Sequence, residues 1–177
     1  MPLVTANAEA IGITKEQAGN LKVSNAYTYQ GTQYVYLVQT YQGLPVYNQM
    51  LVLAFKDNKL VSHAGKLLKL GSERAIVGSS SPTPSLSAAS AITSAFLAAR
   101  IAAPTNSTPI NSGEGSTVLN FGKLSGVSEN VTAELMWVSV EKTQSTKLVW
   151  QVQVVPIGQS DWWMMQIDAA TGSLLIK

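Results

Sequence analysis

His63, within Val61-Ser62-His63-Ala64-Gly65, is the one histidine of a 177-residue chain, and an imidazole is the side chain whose ordinary pKa lies nearest neutrality. It can serve acid–base chemistry or ligate a metal. A single imidazole cannot supply the two or three of most catalytic zinc sites, however, and the chain has no cysteine to stand in for them. A serine nucleophile would need His63 as its base, and no Gly-x-Ser-x-Gly elbow presents one. Glu129, Glu134, Glu141, Asp161 and Asp168 are the carboxylates from which an acid–base dyad could be drawn, but no spacing singles out two of them. Asn106-Ser107-Thr108 and Asn130-Val131-Thr132 match the acceptor pattern for N-glycosylation, which has meaning only in a eukaryotic secretory route. The residues thus predict a chain with no catalytic residue, no cofactor site and no metal site, and His63 is read as structural.

The composition excludes other classes. Charged residues make up 12% of the sequence and the net charge is +2, so no basic cluster can neutralise a run of phosphates, and nucleic acid is not an expected partner. No run approaches the ~18 apolar residues that span a bilayer, and Met1-Pro2-Leu3-Val4-Thr5 lacks the basic and apolar regions of an export signal. Membrane insertion is not expected, and any export signal is read as removed or never present.

The elements that must position these residues change character along the chain. Thr14-Lys15-Glu16-Gln17 has the spacing of a capping box, which predicts a short helix ended by Gly19-Asn20. From Leu21 the apolar period becomes two, through Tyr34–Val38, Val46–Phe55 and Leu60 onward, with Gln30-Gly31-Thr32, Gly43 and Asp57-Asn58 between the runs. That is the pattern of an antiparallel meander. Residues 71–85 concentrate Gly, Ser and Pro and mark a linker between two domains, 1–70 and 86–177. Leu86 to Ile101 predicts an amphipathic helix through Ala88, Ile92, Ala95, Phe96 and Ala99, with Ser85 or Ser87 as N-cap. Period-two segments return at Thr117–Phe121, Val131–Val140, Leu148–Val155 and Trp162–Ile167. In one, Trp150, Val152 and Val154 alternate with Gln151 and Gln153. In Trp162-Trp163-Met164-Met165, Trp162 and Met164 should point to one face and Trp163 and Met165 to the other, with at least one face in the core. Aromatic and Met side chains on the other face would suit a partner contact. A helix ahead of antiparallel strands in each half predicts an α+β fold of two helix-plus-sheet lobes.

The run Tyr34-Val35-Tyr36-Leu37-Val38-Gln39-Thr40-Tyr41-Gln42-Gly43-Leu44-Pro45-Val46-Tyr47 resembles the fungalysin/thermolysin propeptide (FTP) domain, in which a hydrophobic strand runs into Gln-Thr-Tyr-Gln-Gly-(Ile/Leu)-Pro-Val and an aromatic residue. The likeness continues through Gln49–Phe55 and Leu60–Gly65, with Asp57-Asn58-Lys59 where the family more often has Asp-Gly. The second half resembles the PepSY module that accompanies such propeptides, at Leu86–Ala91, Leu148–Val152, and Asp161-Trp162-Trp163 leading to Ile167-Asp168-Ala169-Ala170-Thr171-Gly172-Ser173-Leu174. The resemblance implies two cystatin-like or PepSY-like lobes, and Gln39, Thr40, Tyr41, Gly43, Pro45, Val46, Trp150, Asp168 and Gly172 as family-motif residues that shape them.

The resemblance further implies the pro-region of a secreted zinc metalloendopeptidase, acting as intramolecular chaperone and inhibitor of a catalytic domain normally joined in cis. The chain itself is then not an enzyme, since it has no His-Glu-x-x-His zinc helix. It is read as a propeptide separated from its peptidase. Trp162, Trp163 and Lys177 are the expected partner contacts, and Thr171 to Lys177 the segment expected near the peptidase cleft. The alternative is a free-standing FTP/PepSY binding or protease-inhibitor protein of the cell envelope.

Overall fold

The computed structural model describes residues 2–68, 81–110, 117–140 and 145–177. They form a sheet-rich α+β molecule with few helices, divided into two compact units. The linker expected at 71–85 lies outside the described residues up to position 80.

The first unit begins with three short helices, α1 (Pro2–Ala6), α2 (Ala8–Ile11) and α3 (Lys15–Gly19). The capping box forms as its spacing predicts: Thr14 Oγ1 accepts from Gln17 N at 3.1 Å, and Gln17 Oε1 accepts from Thr14 N at 2.9 Å. α1 and α2 carry no such signature and go beyond what the spacing predicts. Four antiparallel strands follow in meander order: β1 (Leu21–Tyr29), β2 (Thr32–Tyr41), β3 (Leu44–Lys56) and β4 (Lys59–Lys66). The expected turns join them. Gln30-Gly31 has φ 48° and 74°, Gln42-Gly43 48° and 83°, and Asp57-Asn58 50° and 60°, the positive pair that a two-residue type I′ turn needs to match the strands' twist.

One face of this sheet carries Leu37, Leu51, Leu53 and Phe55, and Val4, Ile11 and Ala18 of the helices cover it together with Leu21. Leu37 and Leu53 are fully buried, and each such side chain stabilises the fold by about 1.5–3 kcal/mol. The opposite face carries Tyr27, Tyr34 and Tyr36. Tyr27 stacks on both others, with ring centroids 5.2 and 6.0 Å away.

The second unit contains α4 (Ala88–Ala98) and the strands β5 (Val118–Asn120), β6 (Thr132–Val140), β7 (Ser145–Val154), β8 (Trp163–Asp168) and β9 (Leu174–Ile176), neighbours in that order. Ser87, rather than Ser85, caps α4 by accepting from Ser90 N at 3.2 Å. Ala88, Ala91, Ile92, Ala95 and Phe96 form its buried stripe, the i, i+3, i+4 spacing of a helix laid on a sheet. α4 stops three residues short of the expected Ile101, because Arg100 adopts φ 61° and Ile101 N turns back to Phe96 O at 3.0 Å, a Schellman closure made without glycine. Trp150, Val152 and Val154 are buried opposite Ile167, Met165 and Trp163, and α4 lies against β8 and β9.

Candidate functional site

In the first unit, β2 ends at an irregularity. Val38 pairs with Met50 but Thr40 pairs with Pro45, so Gln39 alone stands opposite the four residues 46–49 of β3. Asn48, with φ 57°, lets β3 bow outward there. The completely buried Gln39 side chain takes up the lost pairing. Its Nε2 donates to Leu68 O at 2.8 Å, and its Oε1 accepts from Leu68 N at 2.9 Å. A carboxamide has one donor side and one acceptor side in the same order as a peptide group, so Gln39 acts as an extra strand residue for the chain leaving β4. Gln17 of α3 adds a longer contact to Leu68 O at 3.4 Å.

Thr40 performs the matching task on the other flank. Its amide and hydroxyl both donate to Asn20 O, at 2.7 and 3.0 Å, fixing the exit of α3 to the end of β2. Tyr41 is half-buried beside the turn, where its hydroxyl accepts from Gln42 Nε2 at 3.4 Å. Gly43 has open space around its missing Cβ, so its φ of 83° is what calls for glycine. Pro45 sits at the start of β3 opposite Thr40, and Val46 is buried. These six motif residues all belong to the first unit.

Asp168 organises the second unit's closing turn. Its Oδ1 accepts from Ala170 N at 2.9 Å and Thr171 N at 3.0 Å, and its Oδ2 meets Lys147 Nζ at 2.7 Å. Its backbone closes the same turn, donating to Ser173 O and accepting from Gly172 N, both at 2.9 Å. Burial pushes this carboxyl up, but the Lys147 ammonium and the two amides outweigh burial and hold it below the ordinary aspartate value. Gly172, with φ 75°, completes the reversal. Beside it opens a cleft of about 430 Å³ lined by Ser81, Thr83, Ser85, Lys147, Asp168 and Thr171 among others. Its charged groups neutralise one another, leaving a hydroxyl-rich, hydrogen-bonding surface. Trp150 ties the turn's neighbourhood to the approach of α4, donating from Nε1 to Leu86 O at 2.8 Å.

The expected contact residues separate by face. Trp162 is 67% exposed and Met164 45%, whereas Met165 is buried. Trp163 is half-buried, and Lys177 Nζ lies 4.0 Å from its ring centroid while also donating to Ala98 O at 3.1 Å. Lys177 thus joins an aromatic ring to the last turn of α4, where the helix dipole favours a cation.

His63 is exposed on β4 opposite Leu53. Among the described residues, no three His, Cys, Asp or Glu side chains come together to hold a metal ion. Glu134 accepts from Thr117 Oγ1 at 2.6 Å and Asp168 serves its turn, while Glu129 and Asp161 are exposed. Glu141 lies outside the described residues. Both sequon asparagines, Asn106 and Asn130, are exposed. No helix among the described residues is long and apolar enough to cross a membrane. The sequence reading missed Leu68, Lys147 and Ala98, all partners distant in sequence, and named Gln17 only for its capping box. Only the alternating tyrosines at 27, 29, 34 and 36 gave a signal for the aromatic face.

Residues 19–67 match the Fungalysin/Thermolysin Propeptide Motif, a propeptide motif rather than a catalytic domain. No curated protein matches the chain. Among solved structures, the Bacillus megaterium YpeB C-terminal domain is similar at a TM-score of 0.42 and 15% identity, over 96% of this chain and 61% of that one. The present chain thus spans less than two thirds of that structure's length.

Proposed function

We propose that this chain, whose first unit carries the fungalysin/thermolysin propeptide motif, is the pro-region of a secreted zinc metalloendopeptidase. It acts as intramolecular chaperone and inhibitor of the catalytic domain and has no catalysis of its own. The reading takes residues 1–70 as the FTP-like domain, 71–85 as linker and 86–177 as a PepSY-like domain, each a cystatin-like helix-plus-sheet lobe. The observation that carries it is the motif at 19–67, whose signature side chains Gln39 and Thr40 close the first unit on itself. A protein that binds its target's native state stabilises that state by mass action, and a covalent tether raises the effective concentration so that modest contacts suffice. Exposed Trp162, with Trp163 and Lys177, offers an aromatic contact to the catalytic domain. The segment Thr171–Lys177 lies along the peptidase cleft in this reading.

The test adds purified chain in trans to a fungalysin- or thermolysin-type peptidase, preferably the parent enzyme. Residual activity and recovery of activity after refolding are both followed. Saturable inhibition or improved refolding is expected. Absence of both with the parent enzyme overturns the reading in favour of a free-standing binding protein.

A further inference from the structure

β1 is the outer strand of the first unit's sheet: β2 takes one side, and no described residue pairs with the other. Every side chain from Lys22 to Tyr29 is exposed. Bare edge groups template another strand, so edges are usually guarded by charge, proline or a bulge. Here the bulge falls at Ser24 and the one charge is Lys22. The following Asn25-Ala26-Tyr27-Thr28-Tyr29 has neither charge nor proline nor glycine.

The register fixes which backbone groups point outward. Gln30-Gly31 is a two-residue turn with both φ positive, which makes Tyr29 and Thr32 its hydrogen-bonded closing pair. Antiparallel pairs alternate, so Tyr27 and Asn25 direct their backbone groups to β2, and Ala26 and Thr28 direct theirs to the free edge.

We propose that β1 pairs antiparallel with β1 of a second copy of this chain, about a twofold axis at Tyr27. On that register Ala26 stands opposite the partner's Thr28, and Thr28 opposite the partner's Ala26, so the outward groups satisfy one another. Tyr27 meets its own counterpart at a non-hydrogen-bonded position, where side chains come closest. Because Tyr27 already stacks on Tyr34 and its hydroxyl lies 3.4 Å from that of Tyr36, two aromatic groups meet across the axis. A second copy fits better than a foreign strand because the ladder is self-complementary and uncharged. Lys22 falls beyond the paired residues, so like charges do not face each other. The inference stands independently of the propeptide reading.

Sedimentation of the whole chain over a concentration series should show a shift from the 18.8 kDa monomer to twice that mass. Tyr27→Lys places two like charges at the axis and should weaken association about tenfold or more. The absence of native cysteine permits a sharper test. Tyr27→Cys should form a covalent dimer on oxidation, whereas Tyr29→Cys, facing the partner's Asn25, should not. Circular dichroism checks that each variant is folded. A wild-type chain that stays monomeric throughout, or a folded Tyr27→Cys that crosslinks no better than Tyr29→Cys, overturns the proposal.

Discussion

The Gln39 clamp of the first unit and the Asp168 turn of the second face the same problem. In each, a chain segment beside a sheet must be fixed by one side chain from within a strand. Gln39 does it with a neutral carboxamide that copies a peptide group, holding Leu68 by donor and acceptor at once. Asp168 does it with an ionised carboxylate that gathers two amides and the Lys147 ammonium. The first arrangement depends on shape and is indifferent to pH. The second depends on charge and fails in acid. Two units of one chain can therefore respond differently to the same change of solvent.

The largest expected effect breaks the neutral clamp. Gln39→Ala leaves the Leu68 amide and carbonyl without their main partner and should destabilise the first unit by about 2–4 kcal/mol. Gln39→Glu sharpens the comparison by giving this site a titrating group. An ionised carboxylate would face the Leu68 carbonyl in a buried position, so its folded pKa should rise above the ordinary ~4.3 of glutamate. Stability should then be greatest below that ordinary value, where the protonated acid donates to Leu68 O, and be lost as pH rises through the folded pKa. Hydrogen exchange at the Leu68 amide reads this locally. Protection independent of pH in the Glu variant would show that the clamp tolerates the charge.

Asp168→Asn should do the reverse in the second unit. Asparagine keeps an acceptor for Ala170 N and Thr171 N but loses the attraction to Lys147, whose side chain is 42% exposed. The expected loss near neutrality is about 1 kcal/mol, the upper range for a pair open to solvent on one side. Because the folded Asp168 sits below its ordinary value, its contribution is present above the unfolded pKa of ~3.9 and fades as pH falls through the folded value. Thermal melts of the two proteins should accordingly converge in acid. A gap that persists there would mean that shape, rather than charge, holds this turn as well.

Legibility in the sequence follows the reach of each interaction. The Thr14 capping box, the three hairpin turns and the α4 stripe depend on residues within about one helical turn or one pleat, and their types and spacing announce them. The six motif residues from Gln39 to Val46 are recognisable through family resemblance, yet the reason for Gln39 is not. Its partner Leu68 lies 29 residues away, and half of the bond is made by backbone. Lys147 and Asp168 are 21 residues apart and become neighbours only through the β7–β8 pairing. α1 and α2 escape a reading by pattern because they are 5 and 4 residues long, too short for a helical period, and are held by packing Val4 and Ile11 on the sheet. The helix ahead of β5 ends early for a reason composition does not carry: Arg100 takes a conformation usually left to glycine.

Lys177 gives the smallest effect and the finest division between charge and shape. Its ammonium sits 4.0 Å from the Trp163 ring centroid and 3.1 Å from Ala98 O. In Lys177→Met an unbranched apolar stem stays over the indole but the cation is gone, so the loss isolates the charge. At an exposed position it should be about 0.5–1 kcal/mol. The helix-end part of that attraction is screened by salt, so the difference in thermal stability between the wild-type chain and the Lys177→Met variant should shrink as ionic strength rises. A loss that salt leaves unchanged would place the contact with the stem, making it a matter of shape as in the Gln39 clamp, and would remove Lys177 from the charge-dependent side of the comparison.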